Sequence, residues 1–184
     1  DLGGFVAASF LRGVDVVQVP TTIVAQVDAS LGGKTAVNHP HGKNLIGAFH
    51  QPRLVLTDTS ALRSLPRAEI VAGLAEVVKH GVIRDEELFA FLEERIEDVV
   101  DMKITAQELD WLIARNGQIK ADVVSADERE GGLRAILNYG HTIGHAIEAA
   151  TAFKRYRHGE AVLLGMLAAG ELAARRGLWE SLEE

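Results

Sequence analysis

Cysteine is absent from the 184 residues. That excludes a disulfide framework and any thiolate-held metal, so a metal bound here has nitrogen and oxygen ligands. Long apolar runs are absent as well. The hydrophobic stretches are short or broken by charge and glycine, and neither a membrane span nor a signal peptide is visible. A cytoplasmic protein with no membrane partner is expected. Positive charge is in deficit, with 19 Lys and Arg against 26 Asp and Glu and a net charge of −7. No nucleic-acid partner is expected from that balance, and the basic residues become candidates for local anion sites. No internal repeat or low-complexity segment appears. No methionine opens the chain: Asp1-Leu2-Gly3-Gly4-Phe5 starts inside a glycine-rich motif, and the chain stops just after a helix. The expectation is an internal piece of a longer polypeptide that lacks both ends. Apolar residues make up 47%, ample for a core, and the length allows one good-sized domain or parts of two.

What the chain does contain is chemistry concentrated in residues 137–148. His141 and His145 are four apart, which on a helix puts both imidazoles on one face, one turn apart. Gly140 and Gly144 leave room beside them for a ligand or a second helix. A third histidine, His158, stands at the head of a long apolar run. Histidines at this density, with the carboxylate of Glu76, point to a divalent-metal site rather than to a pair of polar core histidines. The zincin pattern is excluded, because Thr142 occupies the place of the HExxH glutamate. Read by spacing alone, His141 pairs with His145 as ligands.

Along the chain, Gly3-Gly4 opens a helical run over 5–11, where the pair either lets a phosphate approach backbone N–H groups or simply caps the helix. Residues 14–19 read as a buried strand that ends at Thr21-Thr22, a ribose or phosphate contact or else an ST-turn. Gly32-Gly33-Lys34-Thr35 ends like a Walker loop, but Val27 and Asp28 stand where its first glycine belongs, so a P-loop NTPase is disfavoured. With His41-Gly42-Lys43-Asn44 it supplies two Gly-Lys pairs close together, which favours a bound anion over two solvated lysines. Residues 54–58 read as another strand. A helix over 66–81, with Pro66 in its first turn, carries Glu69, Glu76, Lys79 and His80; the Glu76–Lys79 spacing is ordinarily that of a surface ion pair, but both sit among Ala, Gly and Val, which points to partial burial and a functional role. Amphipathic helices follow over 85–102 and 106–126, then a charged turn at 127–134, the histidine helix, and a small-residue helix over 159–176. The domain boundary falls near 59–66.

Taken together, these motifs resemble the 3-dehydroquinate synthases, sugar-phosphate cyclases of the shikimate pathway. The matching stretches are Asp1-Leu2-Gly3-Gly4-Phe5, Val19-Pro20-Thr21-Thr22, Gln26-Val27-Asp28 with Gly32-Gly33-Lys34-Thr35, Gly42-Lys43-Asn44, Gly73-Leu74-Ala75-Glu76-Val77-Val78-Lys79, Asn138-Tyr139-Gly140-His141-Thr142 and His158-Gly159-Glu160-Ala161-Val162. They run in order over the whole chain. The resemblance implies an incomplete, Rossmann-like α/β NAD-binding part over 1–63, followed by a truncated all-α metal and substrate domain over 64–184. It implies conversion of 3-deoxy-D-arabino-heptulosonate 7-phosphate to 3-dehydroquinate and phosphate, with NAD and one divalent metal, Zn or Co, as cofactors. A homodimer is implied for the full-length protein, and the fragment alone is expected to be inactive.

Residue by residue, the resemblance implies Glu76, His141 and His158 as metal ligands, which moves His145 from ligand to acid/base. With His145 it places Lys79, Asn138, Glu130 and Asp28 around the ring hydroxyls. It implies phosphate contacts from Lys34 and Asn44, with Arg12 reaching a neighbouring subunit's site, and carboxylate contacts from Lys120 and Arg134. NAD contacts are implied for Asp1, Thr21, Thr22, Lys34, Lys43, Ala61, Leu62, Arg63 and Ser64. His80 departs from the family, where an aromatic is common. Two other activities compete: a different sugar-phosphate cyclase, and a metal-dependent oxidoreductase of the glycerol dehydrogenase type. A non-catalytic remnant is a third reading.

Overall fold

The computed structural model describes residues 1–178, so the last residues of the expected 64–184 domain lie outside the described part. Helix α1 (Leu2–Ser9) runs into a 3-10 turn, Phe10–Arg12. The glycine pair therefore lies inside the helix rather than ahead of it. The reason is packing: Gly4 is buried, and a Cβ there would stand 2.5 Å from Thr35 Cγ2.

Strand β1 (Val17–Gln18) pairs in parallel with β4 (Leu54–Val55). Both are shorter than their apolar runs. The expected burial of 14–19 is also corrected: Val17 and Val19 are exposed, as are Leu54 and Leu56. Among the described residues this sheet has only two strands, too few to bury either face. Between these strands lies an antiparallel hairpin, β2 (Lys34–His39) and β3 (Gly42–Phe49), paired Lys34 to Phe49 with an irregularity at Val37 to His39. The Gly-Lys loop reading did not foresee it. Thr35 turns inward under α1 while Lys34 points outward, the alternation a strand imposes.

From Arg67 onward the described chain is helical, as its periodicity predicts: α2 (Arg67–Arg84), α3 (Glu86–Val100), α4 (Ala106–Ala126), α5 (His141–Ala150) and α6 (His158–Arg175). Asp85 caps α3 by accepting from Leu88 N, and Thr105 with Glu108 forms a capping box on α4. Ile70, Leu74 and Val77 of α2 meet Leu88, Leu92 and Val99 of α3 and Leu109, Leu112 and Ile113 of α4, each set at helical spacing. Ile23, Val27 and Leu62 close this core from the N-terminal side. At about 25 cal/mol per Å² of apolar surface, core burial of this kind is the dominant favourable contribution to folding.

Two close approaches set the remaining helices. Gly159 of α6 lies against α2 so tightly that a Cβ would stand 1.8 Å from the Ala72 carbonyl oxygen. Gly165 of α6 lies against Gly140, the N-cap of α5, where a Cβ would stand 2.0 Å from the carbonyl oxygen. The space beside Gly140 and Gly144 is thus filled by a second helix, not by a ligand.

Candidate metal centre and anion cleft

The two glycine crossings decide where Glu76, His141 and His158 go. Glu76 stands one turn beyond Ala72 on α2, His158 immediately precedes Gly159, and His141 follows Gly140. Glu76 Oε1 lies 3.6 Å from His141 Nε2 and 3.9 Å from His158 Nε2. One donor atom from each of these three residues lies within 4.8 Å of the others. The other Glu76 oxygen takes the Lys79 ammonium, and the pair is buried, as its setting among Ala, Gly and Val suggests. His141 Nδ1 lies 3.2 Å from the Tyr139 carbonyl oxygen. A carbonyl only accepts, so Nδ1 carries the proton and Nε2 offers its lone pair toward Glu76. Burial pushes the His141 pKa down, against the pull of Glu76. That favours the neutral ring a metal ligand requires.

Glu148 on α5 was not foreseen. It is buried, it accepts from Lys43 Nζ at 2.7 Å, and its second oxygen lies 3.3 Å from His158 Nδ1. The signal was available: Glu148 lies one turn beyond His145 and two beyond His141, on the same helix face. His145, Glu148 and His158 also bring donor atoms within 4.8 Å of one another. His145 is exposed at the cleft wall, and its pKa is lowered by partial burial and then by His158 and Lys43.

A cleft of about 1000 Å³ opens over this cluster. From the N-terminal side it is lined by Asp1, Asp28, Lys34, Lys43 and Asn44. From the helical side it is lined by Lys79, Lys120, Glu130, Arg134, Asn138 and the three histidines. Lys34 pairs with Glu130, whose other oxygen accepts from Asn138 Nδ2 at 2.6 Å. Burial works against the Glu130 charge, but Lys34 and Asn138 hold its carboxyl below the usual range. Lys120 donates to the Asp28 carboxylate and, at 2.7 Å, to the Asp28 carbonyl oxygen. Burial opposes the Asp28 charge, yet Lys120 and then Lys79 outweigh it and hold the carboxyl far below its ordinary value. Burial pushes the Lys120 pKa down, with Asp28 opposing. Arg134 is buried, and its guanidinium donates to the carbonyl oxygens of Gly32, at 3.0 Å, and Glu128. It therefore ties the loop before β2 to the turn after α4.

The other expected contacts lie away from the cleft lining. Arg12 is exposed on the turn after α1, at φ 68. Thr22 Oγ1 accepts from Ala25 N at 3.2 Å, the local ST-turn role, and Thr21 beside it is exposed. Ala61, Leu62, Arg63 and Ser64 form a 3-10 turn, and Leu62 points into the hydrophobic core, so its side chain is not a cofactor contact. His80, behind the site, is fully buried. Its Nδ1 meets Asn116 Oδ1 at 3.0 Å, while Nε2 has no partner among the described residues.

This fold recurs in known proteins. Residues 1–72 match the family model described as 3-dehydroquinate synthase N-terminal, and residues 73–184 the one described as 3-dehydroquinate synthase C-terminal. The chain belongs to the 3-dehydroquinate synthase family. The 3-dehydroquinate synthase of Nostoc punctiforme is 59% identical over 182 residues, 98% of this chain and 50% of that protein. That of Symbiobacterium thermophilum is 57% identical over 178 residues, 97% of this chain and 49% of that protein. The chain spans about half the length of the curated relatives it matches. Among solved structures, ValA, a 2-epi-5-epi-valiolone synthase from Streptomyces hygroscopicus with NAD+ and Zn2+ bound, superimposes with a TM-score of 0.91 at 31% identity. It covers 99% of this chain and 50% of its own. A 2-deoxy-scyllo-inosose synthase complexed with carbaglucose-6-phosphate, NAD+ and Co2+ gives 0.88 at 36% identity, over 98% of this chain and 48% of its own. The fold is that of these cyclases: an α/β part followed by a helical part.

Proposed function

We propose that the protein carrying this chain is a 3-dehydroquinate synthase, a phosphate-eliminating carbon–oxygen lyase that converts 3-deoxy-D-arabino-heptulosonate 7-phosphate to 3-dehydroquinate in the cytoplasm. The observation that carries the reading is the convergence of Glu76, His141 and His158 within 4.8 Å beneath a cleft walled by lysines and an arginine. One carboxylate and two neutral imidazoles suit a zinc or cobalt ion that keeps coordination positions open. NAD is the second cofactor, in keeping with the NAD+ named for the two cyclase structures. Residues 1–63 form the cofactor-facing part, and residues 64–184 the metal and substrate part.

When bound, the metal supplies Lewis acidity to a substrate hydroxyl. The rest is the work of side chains. Lys34 and Asn44 hold the phosphate, and Arg12 serves the site of a second subunit in a homodimer. Lys120 and Arg134 receive the carboxylate, Arg134 already fixed by its two carbonyl partners. Lys79, Asp28, Glu130 and Asn138 orient the ring hydroxyls, and His145 moves a proton at the open side of the cluster. Asp1, Thr21, Thr22, Lys34, Lys43 and the backbone of the 61–64 turn face NAD. An acidic protein that gathers its cations in one cleft suits a substrate with two anionic ends.

The 184 residues taken alone bind metal without turning over substrate. Supporting this, the relatives are twice as long, and Val17, Val19, Leu54 and Leu56 are exposed. Hydride transfer needs cofactor and substrate carbon in register, and small displacements cost orders of magnitude.

The test is phosphate release by the intact protein with NAD and Zn2+. Release from 3-deoxy-D-arabino-heptulosonate 7-phosphate without NADH accumulation is expected, and Arg134→Ala should lose far more activity than Arg176→Ala. Release only from a hexose phosphate that lacks a carboxylate would point to another cyclase. NADH accumulation from glycerol would point to a dehydrogenase.

A further inference from the structure

The geometry points to Glu148 as the positioning residue of the metal centre: it holds His158 in the tautomer and orientation that turn Nε2 toward Glu76, and Lys43 of the hairpin holds it in turn. This rests on the metal centre proposed above and adds a residue to it.

His158 uses its two nitrogens in opposite directions. Nε2 faces Glu76 Oε1 at 3.9 Å, and Nδ1 faces Glu148 Oε2 at 3.3 Å. Glu148 has only 2% of its surface exposed, and a buried carboxylate persists only when its oxygens are satisfied. Both are: Oε1 takes the Lys43 ammonium at 2.7 Å and Oε2 takes the imidazole. A carboxylate paired with an ammonium on one oxygen accepts on the other, so Nδ1 carries the proton and the lone pair sits on Nε2. His141 follows the same logic with a different partner, the Tyr139 carbonyl. Each histidine of the cluster is thus anchored at Nδ1, the arrangement by which outer partners orient ligands and raise their basicity.

Glu148 has a rival role, as a ligand in the group His145, Glu148 and His158. Two observations weigh against it. A cation held through His158 Nδ1 would displace the contact that this atom already makes with Glu148 Oε2. It would also approach a carboxylate whose Oε1 already holds an ammonium. Lys43 is itself fixed, with Nζ 4.6 Å from the centroid of the Phe153 ring. The chain Lys43–Glu148–His158 therefore links β3, in the cofactor-facing part, to the metal centre between the helices.

The test is a Co2+ titration of the intact protein without NAD or substrate, read by the visible absorption of the bound cobalt and by competition with a chelator. One Co2+ is expected in the wild type and, still, in Glu148→Ala. In that variant the affinity should fall about 10–100-fold and the absorption bands should shift. Glu148→Gln keeps the size and one acceptor oxygen, so it should fall between Ala and wild type, and it carries the test if Ala does not fold. Wild-type affinity and bands in both variants would overturn the inference. So would complete loss of binding equal to that of His141→Ala, which would make Glu148 a ligand. Full binding by His141→Ala would instead bring down the metal centre itself, and this inference with it.

Discussion

Gly159 meets Ala72 at a distance no side chain allows: a Cβ on Gly159 would stand 1.8 Å from the Ala72 carbonyl oxygen. This backbone contact brings α6 onto α2 and puts His158 opposite Glu76. Gly159→Ala gains about 1 kcal/mol of helix propensity. It also forces two backbones apart, an overpacking cost of about 1–3 kcal/mol or more. The steric cost wins, because the atom it strikes is a carbonyl and not a flexible tip. The variant is expected to unfold at lower urea and to bind Co2+ more weakly than wild type. Unchanged urea midpoint and affinity would show that the crossing does not set the site.

His80 makes the stability of the metal-free protein depend on pH. Burial, and after it the Lys79 charge, lowers its pKa from 6.5 to about 4. The unfolded chain therefore takes a proton near pH 6.5 that the folded one refuses until about pH 4. Stability is full above that window and falls as pH drops through it, by about 3 kcal/mol from this group. His141 and His145, whose pKa values are also lowered, slope the same way, so the informative quantity is the difference between wild type and His80→Gln, a variant that can still donate to Asn116. That difference is expected to change between pH 6.5 and 4 and to be flat above. Parallel curves across the window would mean His80 titrates normally.

Lys120 and Asp28 form the partly buried pair that joins α4 to the chain before β2. Lys120→Met removes the cation and leaves the carboxylate. Breaking a buried pair costs about 3–5 kcal/mol, and the lower end applies here because Lys79 still faces Asp28. The depressed pKa of Asp28 stabilises the wild type above its ordinary value of 3.8, and that contribution is lost as pH falls below it. The gap between wild type and variant is therefore expected to narrow in acid. Urea unfolding at pH 7 and pH 3.5 measures it, and a gap that widened in acid would contradict the pairing.

The helical half was legible in the sequence because its apolar residues repeat at helical spacing: α4 begins and ends where periodicity puts it, at Ala106 and Ala126. The β2–β3 hairpin was not. Gly42, Gly47 and the polar Lys34, Asn38 and Asn44 hide the alternation, and the partner that buries Thr35 is a helix distant in sequence. Strands β1 and β4 are short for a tertiary reason too, since each has a single neighbour among the described residues. At the site, residue types suggested a metal, but spacing alone paired His141 with His145, and His158 was grouped with Glu76 and His141 only by the family resemblance. The helix crossings supply the physical reason: they bring His158, from another helix, to face Glu76. Glu148 shares the helix face of His141 and His145, a signal of its place at the site, but its burial was not legible until α6 and Lys43 cover it.

The most direct measurement is anomalous diffraction at the zinc edge from crystals of the intact protein grown with Zn2+. The account predicts one peak, about 2.0–2.2 Å from a Glu76 oxygen and from Nε2 of both His141 and His158, with Glu148 outside bonding distance. A peak bonded to His145 and Glu148, or no peak among these residues, would contradict it.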